Sequence, residues 1–427
     1  MKEQPIRAIS FLGVSKYETT SYVWNGQQKQ TELFPEAVAY FFKPAEILVC
    51  LTPTAHEGEK ARNWIELKQR FNQNNVPYRV LQIPEGHTEV DLWKIFNTLT
   101  NAVDQEERLI FDITCSFRSL PFLSFLAIAY LKAAKQVKVE HVLYGAYEAR
   151  DDQNRSPIFD LTPFVSLLDW LSATQQFIQT GNARSLSSLL RSQRNDSKEL
   201  VEASEILEII SQAARFCQPF TFMQEVAQLE SKLDKAQPDI EIDAVPFSVL
   251  KENIVGTFTQ FQSQSDSFTE ETLRKEYKLI EWYYQKGQVI QAISLAREWL
   301  IDAITFRLGE AVKFDRNHRE PFEEAISGIA LVGKPHPKDH KQPFTKDHLN
   351  DYGKKLWEWE DKDLLVQLWT DLKNVRNSLD HAEHLPKKQK EKTVTAFKKL
   401  QDKMDQKVMR PLRGVAEKWN LVDQAET

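Results

Sequence analysis

With 427 residues the chain is longer than one ordinary core supports, and its 41% apolar and 11% aromatic side chains exclude a disordered polymer. The formal charge of −6 excludes a constitutive, sequence-blind binder of duplex nucleic acid, because such binding rests on neutralising phosphates with Lys and Arg. Cys50, Cys115 and Cys217 are too few and too scattered for a disulfide framework or a zinc motif, and no run approaches the roughly 20 apolar residues that span a bilayer, so a soluble cytoplasmic protein is expected.

The opening MKEQPIRAISFLG leads directly into a first strand at 6–12. Further strands are expected at 47–52, 78–83, 108–114 and 140–147, alternating with helices at 57–72, 90–100 and 118–135. This alternation predicts an α/β domain with a largely parallel sheet over residues 1–170. Residues 17–31 read as an inserted hairpin, since Thr, Tyr, Val and Trp flank the turn-forming pair Asn25-Gly26.

From Pro163 onward strands vanish, and no glycine falls between Gly181 and Gly256. Helices are expected at 185–217 and 222–235, then a break over 237–246 marked by Pro238 and Pro246, then helices at 270–286, 289–310, 361–384 and 387–419. The fold class is thus α/β plus all-α: an N-terminal α/β domain at 1–170, a helical connector at 171–264 and a C-terminal helical domain at 265–427. Given the formal charge, any basic surface is local, and residues 385–413, with ten basic against three acidic side chains, are one candidate, although such a run is more often only a solvated helix face. Residues 333–348 read as a Pro- and His-rich loop whose His336, His340 and His348 are solvated rather than metal-bound.

In an open α/β sheet, ligands gather at the carboxyl ends of the strands. Those ends carry Gly13-Val14-Ser15, Thr52-Pro53-Thr54 and the run from Asp112 to Pro121, whose small residues and hydroxyls suit a phosphate or ribose. In the last run Thr114, Ser116 and Ser119 supply hydroxyls, Arg118 a charge and Phe117 a ring for stacking on a base, although an ordinary helix N-cap with a core Phe fits the spacing equally. Neither GxGxxG nor GxxxxGK[ST] occurs, which argues against the usual dinucleotide and nucleoside triphosphate sites.

The run Asp112 to Pro121, taken with FLGVSKYETTSYVW, VLYGAYEA and DLTPFVSLLDW, resembles the CARF domain of CRISPR-associated proteins with its DxTHG motif. The resemblance implies a Rossmann-like fold and a two-fold dimer that binds cyclic tetra- or hexa-adenylate, with Gly13, Ser15, Thr52, Thr54, Thr114, Ser116, Phe117, Arg118 and Ser119 lining the cleft. Cys115-Ser116 replaces the family's His-Gly, so any role of that His does not transfer.

The chemistry-bearing constellation of the second half is Arg376-Asn377-Ser378-Leu379-Asp380-His381. Metal-free RNA cleavage needs a base for the 2′-OH proton, an acid for the leaving oxygen and a cation on the phosphorane; Arg and His supply these. Leu364, Leu368, Leu372, Val375 and Leu379 form one apolar stripe, which Arg376 borders, while Asn377 and His381 share the polar face. Arg376 and His381 stand about 140° apart on one helix, which favours a site completed by a second copy.

With QAISLAREWLIDAI at 291–304, this hexad resembles the HEPN ribonuclease domain, which implies a composite, metal-independent site cutting single-stranded RNA by transesterification to a 2′,3′-cyclic phosphate. No cofactor beyond the activating cyclic oligoadenylate is implied. Two rivals are a nucleotide-sensing regulator without nuclease activity and an additional ring nuclease that destroys its own activator.

Overall fold

A computed structural model describes residues 4–114, 119–193, 197–263, 268–313, 316–337, 342–380 and 393–422. The chain forms two compact units, Met1–Asp169 and Trp170–Thr427.

The first unit contains β1 (Ile6–Phe11), β2 (Thr20–Trp24), β3 (Gln27–Thr31), α1 (Phe34–Phe42), β4 (Glu46–Leu51), α2 (Pro53–His56), α3 (Arg62–Gln73), β5 (Tyr78–Gln82), α4 (Glu89–Asn101), β6 (Arg108–Asp112), α5 (Ser119–Lys135), β7 (Lys138–Gly145) and β8 (Arg155–Asp160). Its eight strands make one sheet in the order β3-β2-β8-β7-β6-β1-β4-β5. β5, β4, β1, β6 and β7 run parallel, β8 runs antiparallel to β7, and β2 pairs parallel with β8. Strand alternation divides the apolar residues between two faces. Ala8, Ile47, Val49 and Ile110 pack with Phe34, Trp64 and Phe71 on one face; Ile9, Phe11, Leu48 and Phe111 pack with Ile95, Leu99, Ile128 and Leu131 on the other.

The expected hairpin is present as β2 and β3, with Asn25 and Gly26 both at positive φ as a two-residue turn of this kind requires. Three readings are corrected. The helix expected at 57–72 begins only at Arg62, as α3, after a turn in which Gly58 sits at φ +89, and the short α2 precedes the expected span. α1 and β8 were not expected at all: Pro157 argues against a strand in RSPIFD, yet β8 lies between β2 and β7.

The boundary between the units falls in α6 (Thr162–Thr180), which is followed by α7 (Arg184–Arg191), α8 (Lys198–Arg215), α9 (Pro219–Lys235), α10 (Gln237–Asp243), α11 (Val245–Phe258), α12 (Glu270–Gln285), α13 (Val289–Arg307), α14 (Arg316–Ile329), α15 (Asp351–Trp357), α16 (Lys362–Asp380), α17 (Thr393–Met404) and α18 (Arg410–Lys418). A π-helical turn, Asp405–Met409, joins the last two. Here too the sequence reading is corrected: the break at 237–246 is helical, because Pro238 and Pro246 each occupy a first turn, where no N–H is needed. The helix read over 185–217 is α7 and α8, and α14 and α15 were not read.

One hydrophobic cluster runs through the second unit from Trp170 to Leu421. Tyr283 on α12 donates its hydroxyl to the Ala214 carbonyl on α8 at 2.6 Å, and the Trp299 indole donates to the Leu273 carbonyl at 2.8 Å. The helices at 171–264 therefore share a core with those at 265–427.

A charged layer orders the last helices. Arg319 on α14 pairs with Glu298 and Asp302 on α13, Arg297 pairs with Glu323 at 2.7 Å and lies 4.8 Å over the Trp369 ring, and the Trp369 indole donates to Ser327 at 3.0 Å. Beneath it Glu276 is fully buried; burial and the nearby Asp302 charge push its carboxyl well above the usual range.

Candidate functional site

β1, β4 and β6 are adjacent and parallel, so their carboxyl ends open at one edge of the sheet. β4 and β5 lie on one side of β1, and β6 and β7 on the other, a reversal of strand order that leaves a crevice at the strand ends. The crevice is a cleft of 170 Å³. Gly13, Ser15, Thr52, Thr54 and Thr114, five of the nine residues expected from sequence, line it. Of the others, Ser116, Phe117 and Arg118 lie outside the described residues; Ser119 opens α5, with its side chain likewise outside them.

Each wall is held by bonds that sequence spacing does not reveal. Asn63, on α3, donates to the carbonyls of Gly13 and Ser15 at 2.8 Å each, and the Gly13 amide donates to the Tyr17 hydroxyl at 3.0 Å. The loop after β1 is therefore set before any ligand arrives. Thr52 caps α2 by accepting from the Ala55 amide at 3.3 Å.

The third wall rests on Asp112. Its carboxylate accepts the Ser10 hydroxyl and, at 2.8 Å, the Thr114 amide, while the Thr114 hydroxyl accepts the Gly145 amide at 2.9 Å. Gly145 has no room for a side chain: a Cβ would stand 2.5 Å from the Phe34 ring. Asp112 is fully buried, and burial pushes its pKa up to about 6 against the pull of the Ser10 and Thr114 hydrogen bonds. Burial and the Asp112 charge push the neighbouring Cys50 thiol far up, so it lines the cleft without thiolate reactivity.

Sequence reading missed Glu85. It enters the cleft just past β5 and accepts the Thr54 amide at 2.8 Å. Partial burial works against its charge, but the hydrogen bonds from Thr54 and Thr52, with His87 nearby, hold its carboxyl below the ordinary range. The rule that located the other residues covers this one too, since Ile83-Pro84-Glu85 is itself a strand end. The cleft thus offers hydroxyls and backbone amides in which some donors are already engaged by an internal carboxylate.

In the second unit, Arg376 and Asn377 stand exposed on α16, and His381 lies outside the described residues. The apolar stripe is corrected. Leu365, Leu368, Trp369, Leu372 and Val375 are buried, whereas Leu364 is 37% exposed and the Leu379 side chain is not described. At about 100° per residue, Arg376 points within the arc that Leu365, Trp369 and Leu372 define. An exposed guanidinium on the core-facing arc means that the packed layer stops short of this turn.

None of the described helices is long and apolar enough to cross a membrane.

Comparison with known proteins bears on both units. Residues 8–148 match the family "CRISPR system endoribonuclease Csx1, CARF domain", and residues 166–266, which include the whole segment read as a connector, match "CRISPR-associated protein MJ1674, second domain". CRISPR-associated protein MJ1674 of Methanocaldococcus jannaschii is 28% identical over 123 residues, 28% of this chain and 19% of that protein. The chain thus spans about a fifth of the length of this curated relative. Among solved structures, Enterococcus italicus Csm6 bound to cyclic hexa-2'-fluoro-hexa-dAMP aligns over 97% of this chain and 95% of its own, with 10% identity and a TM-score of 0.45. The eight-stranded unit with its strand-end cleft is thus similar, across residues 8–148, to the CARF domain of a CRISPR system endoribonuclease.

Proposed function

We propose that this chain is a cyclic-oligoadenylate-activated, metal-independent endoribonuclease that cuts single-stranded RNA in type III CRISPR antiviral defence. The observation that carries the reading is the convergence of Gly13, Ser15, Thr52, Thr54 and Thr114 on one cleft, within a domain matched by the CARF domain of a CRISPR endoribonuclease. Ser116, Phe117, Arg118 and Ser119 complete that cleft in this reading, contacting phosphate and base.

The working form is a homodimer. A cleft of 170 Å³ falls short of the about 300 to 1,000 Å³ that drug-sized ligands fill, so one copy does not enclose a ring of several nucleotides. A face suited to a second copy exists on the same unit. Phe122, Leu126 and Tyr130, one turn apart on α5, and Phe164, Leu167 and Leu168 on α6 are all exposed, and Lys132 to Asp169 at 2.6 Å holds the two helices side by side. Leu126→Asp is expected to yield a monomer in sedimentation velocity and to abolish ligand-stimulated RNA cleavage; an unchanged dimer places the interface elsewhere.

Catalysis in this reading uses Arg376, Asn377 and His381. The RNA 2′-OH attacks its own phosphorus as an imidazole takes its proton, the P–O5′ bond breaks, and the departing 5′-oxygen takes a proton from an imidazolium. Arg376 holds the two non-bridging oxygens as charge builds on the phosphorane, and Asn377 orients its neighbours. The cyclic ligand shifts the dimer toward the form in which the two Arg376/His381 sets meet.

The direct test follows labelled single-stranded RNA while cyclic tetra- and hexa-adenylate are titrated into pure protein. Cleavage that rises with one ligand and ends in 2′,3′-cyclic phosphate is the expected outcome. Cleavage unchanged across the titration removes the gating step. Ligand binding without RNA cleavage identifies a regulator, and loss of the ligand itself identifies ring-opening activity in the cleft.

A further inference from the structure

Residues 333–348 read from sequence as a solvated loop, but their described part is ordered. The Gly333 amide donates to the Phe344 carbonyl, the Phe344 amide to the Lys334 carbonyl and the His336 amide to the Gln342 carbonyl, each at 2.8 Å, and Pro335 bridges Pro343 in antiparallel register. This short ladder gathers three rings. His336 lies 5.4 Å from Phe344 and 5.0 Å from His348, and Phe344 lies 5.1 Å from His348.

His348 is held in place because its Nδ1 accepts the Thr345 amide at 3.0 Å. Phe344 rests one edge on the helical core. The rings are nonetheless only half covered or, for His348, exposed, and Lys334 stands exposed beside them. The ring contacts order the imidazoles about Phe344 while leaving part of each ring open to solvent. A platform of flat, partly wet rings with a cation at its edge matches the needs of unpaired bases on a phosphate chain.

Its place in the helical unit supports the same occupant. Arg307 lies against Trp359 and Trp419, and Arg297 lies over Trp369, so α13 and α16 run antiparallel. Arg319 reaches Asp302, Glu323 reaches Arg297, and Ser327 reaches Trp369, so α14 is antiparallel to α13 and runs in the direction of α16. α14 therefore ends toward the Arg376 end of α16, and the hairpin begins four residues after Ile329. Arg376 follows Trp369 by two helical turns, about 10 Å along the axis.

We propose that the paired segments 333–336 and 342–348 dock the bases of single-stranded RNA on the His336–Phe344–His348 rings and deliver the strand to the Arg376 end of the helical unit. The inference rests on the RNA-cutting reading above and adds a substrate-binding element to it.

The test uses the full chain with its cyclic ligand and a fluorescein-labelled single-stranded RNA of mixed sequence, with DNA of the same sequence as a second arm. His336→Ala and Phe344→Leu, the latter keeping bulk against the core, are expected to raise KM for RNA on the order of tenfold each while kcat stays within about twofold. Lys334→Glu is expected to weaken binding and reduce its salt dependence. Anisotropy measured in parallel reports RNA binding apart from cleavage. An enzyme that cuts RNA with unchanged KM in all three variants overturns the hairpin proposal and leaves the nuclease reading intact. A wild-type chain that binds RNA through these rings without cutting it has the opposite meaning, and one that neither binds nor cuts defeats both. Variants that lose self-association but keep RNA affinity overturn the proposal in favour of a contact between copies.

Discussion

Arg376→Ala is expected to lower the ligand-activated rate of RNA cleavage by on the order of 10²–10³, the usual effect of losing a charge aimed at a developing anion. His381→Ala is expected to cost on the order of 10²–10⁴, because proton transfers at both ends of the displacement are lost together. Neither substitution touches the CARF cleft, so titration calorimetry should return the wild-type affinity for cyclic oligoadenylate. Arg376 also offers a finer test. It is exposed on the core-facing arc of α16, and Lys at this position keeps the charge but not the two-pronged grip on phosphate. Arg376→Lys should therefore remain far below wild type. Full activity in Arg376→Ala, or loss of ligand binding with it, would remove the residue from the reaction and with it the second half of the proposed function.

Asp112 carries the second large effect. Asp112→Ala strips a fully buried site of the acceptor for Ser10 and for the Thr114 amide, at a cost of about 1–3 kcal/mol for each orphaned group. Thr114 then loses its anchor, and cyclic oligoadenylate binding should fall with stability. Asp112→Asn keeps the shape and exposes a pH effect of opposite sign. An unfolded Asp titrates at about 3.9, whereas burial lifts Asp112 to about 6 in the folded chain. Below the lower value both states hold the proton. Between the two, only the folded state does, so stability falls as pH rises through this window and levels off above it. Summed over the window the loss is on the order of 2–3 kcal/mol. Urea midpoints at pH 4.5 and 7 should show Asp112→Asn gaining on wild type by that order as pH rises. Parallel changes in the two proteins would mean that Asp112 is ionised through ordinary hydration.

Much of the first unit was legible because its signals are local. Alternating apolar runs placed the strands to within a few residues, and Asn25-Gly26 placed the hairpin. The same strand-end rule brought Gly13, Ser15, Thr52, Thr54 and Thr114 to one cleft. What was not legible depends on tertiary pairing. β8 carries a proline and only two large apolar residues, and it is a strand because β2 and β7 supply partners on both sides. Asn63 stands 48 residues from Ser15, and no spacing in the sequence links its side chain to that carbonyl. Glu85 shows a different limit: its position at a strand end was readable, but the hydrogen bond that ties its carboxylate to the Thr54 amide depends on how two strand ends meet in space. In the second unit, turning the buried arc of α16 from Leu364 toward Leu365 and Trp369 required knowing that Arg297 would cover the indole.

Glu85 sets how the cleft responds to concentration. Because its carboxylate already accepts from Thr52 and Thr54, an arriving phosphate exchanges one anion for another and gains only the difference. A lone nucleotide, with a single phosphate to offer, makes a poor exchange. A ring that grips several donors in two copies at once recovers that loss through its other contacts. Under the proposed function the tethered carboxylate is therefore a resident competitor, which filters out abundant mononucleotides and raises the threshold at which the alarm is heard.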